Sequence, residues 1–379
     1  MFEEIIAFIR SLYGEGFIPL HEPKFIGNEK AYINECIDST FVSSVGKFVD
    51  KFEKMICEIT GSNFAVATTN GTSALHVSLL LAEVTSQDEV ITQALTFVAT
   101  ANAISYIGAK SIFLDSAPDN MGLCPDNLKS FLQNNAELAG DGFCYNKTTK
   151  RRIKACVPMH VFGHPVKLNE IIQICQDYNI TVIEDAAESL GSIYQGKHTG
   201  TIAPFGVLSF NGNKIVTSGG GGAILIQDEM LAKRAKHLTT TAKVPHRWEF
   251  NHDEVGYNYR LPNLNAALLC AQLEMLTQFL INKRETATKY QEFFRNTDIA
   301  FISSPAACQA NYWLNAVMFK DKKTQQDFLL ASNNSGVMTR PIWKLMPDLA
   351  MFADSQKTDL VNARRYEATV VNLPSSVII

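Results

Sequence analysis

Between residues 60 and 225 short β-rich apolar runs alternate with amphipathic stretches. That alternation predicts an α/β fold with a mostly parallel sheet covered by helices. Strands are expected over 64–67, 89–92, 111–114, 154–159, 181–183, 207–210 and 223–226. A turn and the apolar stretch 74–81 follow the first strand, and a helix from about Phe97 separates the second from the third. Another helix, carrying Ile171, Ile172 and Cys175, precedes 181–183. The polar, turn-rich segment 140–152 reads as an excursion between elements.

Near residue 261 the texture changes. Leu264, Leu268, Ala271, Met275 and Phe279 recur at helical spacing, and the pattern runs past Phe293. One long helix is expected there, bridging a large domain, 1–260 with its amino-terminal segment, to a smaller carboxy-terminal α/β domain, 261–379.

A chain of 379 residues can support two such cores. Its 46% apolar and 19% charged residues are ordinary for an enzyme, and a net charge of −4 without basic blocks argues against nucleic acid as a partner. No apolar run approaches the ~20 residues of a membrane-spanning helix. The amino terminus, Met1-Phe2-Glu3-Glu4, is acidic where a signal peptide is basic. The expected location is therefore cytoplasmic. Eight scattered cysteines without a CxxC pair suit free buried thiols better than a disulfide framework.

Two signals mislead. Gly191-Ser-Ile-Tyr-Gln-Gly196-Lys197-His198 nearly spells a phosphate-binding P-loop, but histidine stands where a magnesium-binding hydroxyl belongs. A hairpin turning at Gln195-Gly196 is the better reading. His160 and His164 are four apart, but Gly163 and Pro165 argue against a helix, and no further ligand stands at metal spacing. No metal site is expected.

Three segments carry candidate chemistry. Asn70-Gly71-Thr72-Ser73-Ala74-Leu75 turns from a strand into a helix, where free N–H groups and hydroxyls suit a phosphate. Its Thr and Ser also read as routine caps. Ile183-Glu184-Asp185-Ala186-Ala187-Glu188-Ser189 places acids at the carboxyl end of a parallel strand, where open α/β sheets bind ligands. Ser209-Phe210-Asn211-Gly212-Asn213-Lys214, followed by 219–222, sets a lysine beside a four-glycine run that allows close backbone approach. Alone, a loop lysine reads as a surface charge; desolvated, it forms Schiff bases.

The order NGTSALH, TFVATAN, EDAAESLG, SFNGNK, GGGG and GYNYRL resembles the DegT/DnrJ/EryC1/StrS sugar aminotransferases through nearly the whole chain. The resemblance implies an aspartate-aminotransferase-like fold (fold type I) and pyridoxal 5'-phosphate (PLP) as cofactor. It implies Lys214 as the Schiff-base lysine and acid/base, Asp185 as partner of the pyridine nitrogen, and Phe97 stacked on the ring. Gly71, Thr72, Ser73 and Ser209 would hold the phosphate. Asn258, in Gly256-Tyr257-Asn258-Tyr259-Arg260, would reach the phosphate of a neighbouring subunit's cofactor, implying a homodimer; it reads also as a cap for the helix starting near Pro262. Glu188 stands near the ring hydroxyl where many members have glutamine or histidine, and its role stays open.

Lysine at position 214 favours transamination, since members with histidine there dehydrate sugars. Segments 159–165, 311–315 and 338–343 resemble the subgroup of bacillosamine and legionaminic acid synthesis. That subgroup aminates C4 of a UDP-linked 4-keto-6-deoxy-N-acetylglucosamine with glutamate as donor. His160, Trp313 and Arg340 are the substrate-binding candidates, Arg340 for the diphosphate. GDP- or dTDP-linked 4-keto sugars are the alternatives. A PLP-dependent sugar dehydratase or lyase is the rival chemistry. A cofactor-binding regulator ranks last, because no segment offers a DNA-binding module.

Overall fold

The computed structural model describes residues 2–378, so Met1, the first residue of the acidic terminus, and Ile379 lie outside it. Seven strands form the main path of the large sheet: β1 (Phe64–Thr68), β2 (Asp88–Gln93), β3 (Lys110–Leu114), β4 (Arg152–Val157), β5 (Thr181–Asp185), β6 (Phe205–Ser209) and β7 (Gly222–Ile226). Their spatial order is β1-β7-β6-β5-β4-β2-β3. Neighbours from β6 to β3 are parallel, while β7 runs antiparallel to both β6 and β1. The sheet is mostly parallel, as its Val/Ile-rich runs predict: β2 and β7 are buried along their whole length.

Segment 140–152 is more ordered than an excursion. Cys144–Asn146 pairs back on Ala136–Leu138 and joins β4 through Tyr145 and Arg152, so this hairpin widens the sheet. The false P-loop is the expected hairpin, Ile193–Tyr194 against Lys197–His198. Gln195 (φ 47°) and Gly196 (φ 82°) both take the positive φ that its tight turn demands.

The long helix expected beyond 261 is two helices, Asn263–Glu274 and Leu276–Phe294, bent by 58° at their junction. The first packs on the helices Lys47–Thr60 and Glu29–Asp38. Its buried residues include Ala266, Ala267, Leu269, Cys270 and Leu273, whereas Leu264 and Leu268 are only half-buried. The second helix buries one face, Phe279, Lys283, Tyr290 and Phe294.

A second sheet, β8 (Ala300–Phe301), β9 (Asn315–Met318), β10 (Arg340–Pro341) and β11 (Val370–Leu373), has order β8-β9-β11-β10. Its core takes in Ile5 and Ile9 of the amino-terminal helix Phe2–Tyr13, with Tyr290, Val317 and Phe328. Packing therefore crosses residue 260 in both directions: the first helix sits with the carboxy-terminal sheet, and 263–274 sits with the large one.

Candidate active site

Every strand end that matters opens on one side of the sheet. Asn70, two residues beyond β1, caps the helix Gly71–Leu81 by accepting from Ser73 N–H at 2.8 Å. The first N–H groups of such a helix lack intrahelical acceptors and face outward with the positive end of the dipole. Gly71 is required by packing, since a Cβ there would stand 2.8 Å from Ser209 Cβ. The glycine run supports this same turn: a Cβ on Gly222 would lie 2.4 Å from Asn70 O. The close approach expected of that run is thus made to protein backbone.

Asp185 ends β5, only 2% exposed. Its Oδ2 accepts the Thr100 hydroxyl at 2.7 Å and its Oδ1 the Ala187 N–H at 3.2 Å. Burial pushes its pKa up from the usual carboxylate range, against the pull of those bonds and of Lys214. Lys214 closes a tight turn, its N–H bonded to Asn211 O at 2.9 Å. Its Nζ lies 3.2 Å from Glu188 Oε1 and 3.8 Å from the centroid of the Trp313 ring. Glu188 is buried, and its Oε2 accepts the Phe162 N–H at 2.9 Å. Burial raises its pKa to about 7, although the Lys214 charge pulls the other way.

One cavity of about 300 Å³ gathers these groups. Gly71, Thr72, Phe97, Asp185, Glu188, Ser209, Lys214 and Trp313 all line it. Phe97 keeps 47% of its surface exposed, and its ring tilts against Trp343 at 6.1 Å, giving the cavity an aromatic wall. A phosphate-accepting helix start, a buried carboxylate for a ring nitrogen, an aromatic face and a primary amine fit PLP.

Four sequence candidates stand elsewhere. Ser73 is buried with its N–H spent on Asn70 and its hydroxyl 3.2 Å from that of Thr69. His160 is fully buried: its Nδ1 accepts the Val166 N–H and its Nε2 faces Glu184, both at 3.2 Å. It therefore braces the fold and does not line the sugar pocket. Arg340 is exposed at the edge of the small sheet, bonded to Asn333 Oδ1 and Thr339 O. Asn258 is exposed, its Oδ1 accepting from Arg260 at 3.2 Å, and the helix after it is capped by Pro262.

Sequence reasoning missed Thr100, Trp343 and Glu184. Thr100 lies inside TFVATAN with no local sign of its role; it meets Asp185 from the first turn of the helix Val98–Tyr106, which packs on the helix Gly71–Leu81 and on β2 and β3. Glu184 reads as one more strand-end acid, yet it accepts N–H groups from Gly200, Ile202 and Ala203 at 2.6, 2.7 and 2.7 Å.

Comparison with known proteins decides the family: residues 23–378 match the DegT/DnrJ/EryC1/StrS aminotransferase family. The chain belongs to that family. Aminotransferases of this family are PLP-dependent, and the chain is a PLP-dependent sugar aminotransferase with their α/β fold. It is 35% identical to EpsN of Bacillus subtilis (strain 168), covering 88% of this chain and 84% of that protein. It is 32% identical to GDP-perosamine synthase of Escherichia coli O157:H7, covering 95% and 93%. Among solved structures, the aminotransferase TlmJ from Streptoalloteichus hindustanus superposes with a TM-score of 0.85 at 25% identity, over 95% and 94% of the two chains. Among the described residues no single helix is long and apolar enough to cross a membrane.

Proposed function

We propose that this family member aminates C4 of a nucleotide-linked 4-keto-6-deoxy sugar, with glutamate as donor and a UDP-linked 2-acetamido sugar as acceptor. The observation that carries the transfer is the meeting of Lys214, Glu188 and Asp185 in one cavity with an open helix start. Bound PLP supplies an electron-withdrawing ring and the carbon that carries nitrogen between donor and acceptor.

The chain's own residues do the rest. Asp185, held by Thr100, keeps the ring nitrogen charged. Gly71 and Thr72 present N–H groups to the phosphate, with the Ser209 hydroxyl beside them. Phe97 covers the ring. Lys214 would hold the cofactor covalently and, once freed, deliver a proton to sugar C4, and Glu188 stands beside its amine to exchange a proton with it. Two copies of the chain complete the site, each lending Asn258 to the other.

The UDP preference rests on the resemblance of segments 159–165, 311–315 and 338–343, of which Met159, Trp313 and Trp343 reach the cavity. GDP-perosamine synthase as a relative over 95% of the chain favours a second reading, a GDP-linked acceptor. Borohydride reduction should fix the cofactor to the peptide containing Lys214. Side-by-side assay of UDP-, GDP- and dTDP-linked 4-keto sugars with glutamate tests the acceptor. A preference for GDP or dTDP defeats the UDP reading, and loss of a hydroxyl without gain of an amine defeats transamination at C4.

A further inference from the structure

Two side chains from separate segments, Glu188 and Trp313, meet at the nitrogen of Lys214. Glu188 reserves Oε1 for it, because Oε2 is taken by the Phe162 N–H, whose residue holds an unusual φ of 54°. Trp313 lays its ring 3.8 Å from Nζ and donates its indole Nε1–H to Asn213 O, on the residue before the lysine, at 2.6 Å. Asn311 joins the two sides. Its Oδ1 accepts the Trp313 N–H at 2.8 Å, and its Nδ2 donates to Glu188 O and Leu190 O, each at 2.9 Å. Gly163 must be glycine for Asn311 to sit there, since a Cβ would fall 1.8 Å from Asn311 Oδ1.

We propose that Glu188 and Trp313 form a seat that holds the Lys214 ammonium whenever its nitrogen is not bonded to the cofactor, with Trp313 as a positioning residue. The inference rests on Lys214 being the cofactor lysine.

A lysine that alternates between bonded and free states needs two environments. Bonded, its nitrogen belongs to the cofactor. Free, it takes a proton and becomes a buried cation, which is costly unless an anion and a polarisable face receive it. The carboxylate supplies the first and the indole quadrupole the second. Proton balance needs no outside reactant: the amine gains the proton that the Glu188 carboxyl gives up, forming ammonium and carboxylate. A glutamic acid raised to about 7 by burial can make that exchange at neutral pH. The seat also explains an acid at position 188, because a neutral amide there would accept a hydrogen bond without balancing the charge.

The test compares two ligands on the full chain freed of cofactor. Pyridoxamine phosphate leaves Lys214 free and seated, whereas PLP removes it from the seat. Losing the seat should therefore tighten PLP relative to pyridoxamine phosphate. Trp313→Leu should raise the ratio of the two dissociation constants, pyridoxamine phosphate over PLP, by about thirtyfold, the size of one desolvated cation–π contact. Glu188→Gln should raise it further, and Trp313→Phe, which keeps an aromatic face, should stay near the parent value. An unchanged ratio in Trp313→Leu, with both ligands weakened equally, would reduce Trp313 to packing and overturn the seat. If borohydride labels Lys214 and the ratio does not move, the seat alone fails; if it labels another lysine, the site reading and the seat fail together.

Discussion

The Thr100 hydroxyl donates to Asp185 Oδ2 at 2.7 Å, making a residue on a covering helix the orienting partner of the acid at the end of β5. The other oxygen takes one backbone N–H, so both bonds come from neutral donors. A carboxylate buried this far calls for a cation, and burial alone already raises its pKa. A protonated ring nitrogen would reverse that shift.

Thr100→Val should leave the shape of this corner nearly unchanged while removing the hydroxyl that donates to Asp185. A hydrogen bond to a charged group contributes about 1.5–3 kcal/mol. PLP affinity, followed by the absorbance of the reconstituted protein, should fall by about tenfold or more. Wild-type affinity in Thr100→Val would show that Asp185 is oriented without it.

Glu188 makes the cofactor-free protein sensitive to pH with a definite sign. Its pKa rises from 4.5 to about 7 on folding, burial being the main cause, with the Lys214 charge opposing and Asp185 reinforcing the shift. A raised acid binds its proton more tightly when folded, so its contribution is full below 4.5 and is lost as pH rises through 7. The loss amounts to at most about 3 kcal/mol. Urea unfolding at pH 5, 6, 7 and 8 should show a decline that Glu188→Gln flattens. Lys283, lowered to about 7 by burial, titrates in the opposite sense, so the difference between variant and parent is the quantity to read. Parallel curves for the two proteins would contradict the shift.

How much of this was legible beforehand follows from the physics of each signal. All seven strands of the main path lie where β-branched runs predicted them, because buried parallel strands have little choice of composition. The small sheet was invisible, its strands being two to four residues long, too short for any period to register. The helix Lys47–Thr60 was overlooked although Phe48, Phe52 and Ile56 mark its buried face at spacing four. Lys214, Asp185 and Glu188 could be singled out because loop chemistry is written locally. Thr100 and Trp343 could not, since packing alone brings Thr100 to Asp185 and Trp343 to the cavity. His160 and Arg340 carried suggestive chemistry but no information about where their side chains end.

Asn258 tests the assembly. It lies exposed beside Thr240 and is not among the residues that line its own chain's cavity. If it serves a second copy, Lys214→Ala and Asn258→Ala proteins should each be inactive alone. Mixed and allowed to exchange subunits, they should recover up to about a quarter of wild-type activity, since half the dimers are hybrids and each hybrid keeps one intact site. No recovery in demonstrably mixed dimers would place Asn258 within its own chain's site.

His160 separates what its sequence position suggested from what its surroundings allow. Because Nδ1 accepts the Val166 N–H, the ring proton sits on Nε2 and is donated to Glu184. Glu184 in turn gathers the N–H groups of Gly200, Ile202 and Ala203, so the histidine belongs to a buried clamp that fastens the 199–203 loop beneath β5. His160→Ala would leave a buried N–H without an acceptor and a carboxylate short of one donor. The expected cost is about 2–4 kcal/mol of folding stability. The sugar cavity should not notice: KM for the nucleotide sugar should stay within about twofold of wild type at temperatures where the variant is folded, because no ground-state contact has been removed. Thermal unfolding and steady-state kinetics on the same preparation read both quantities. A large rise in KM with little loss of stability would put His160 back in the sugar site; the reverse pattern assigns it to the clamp.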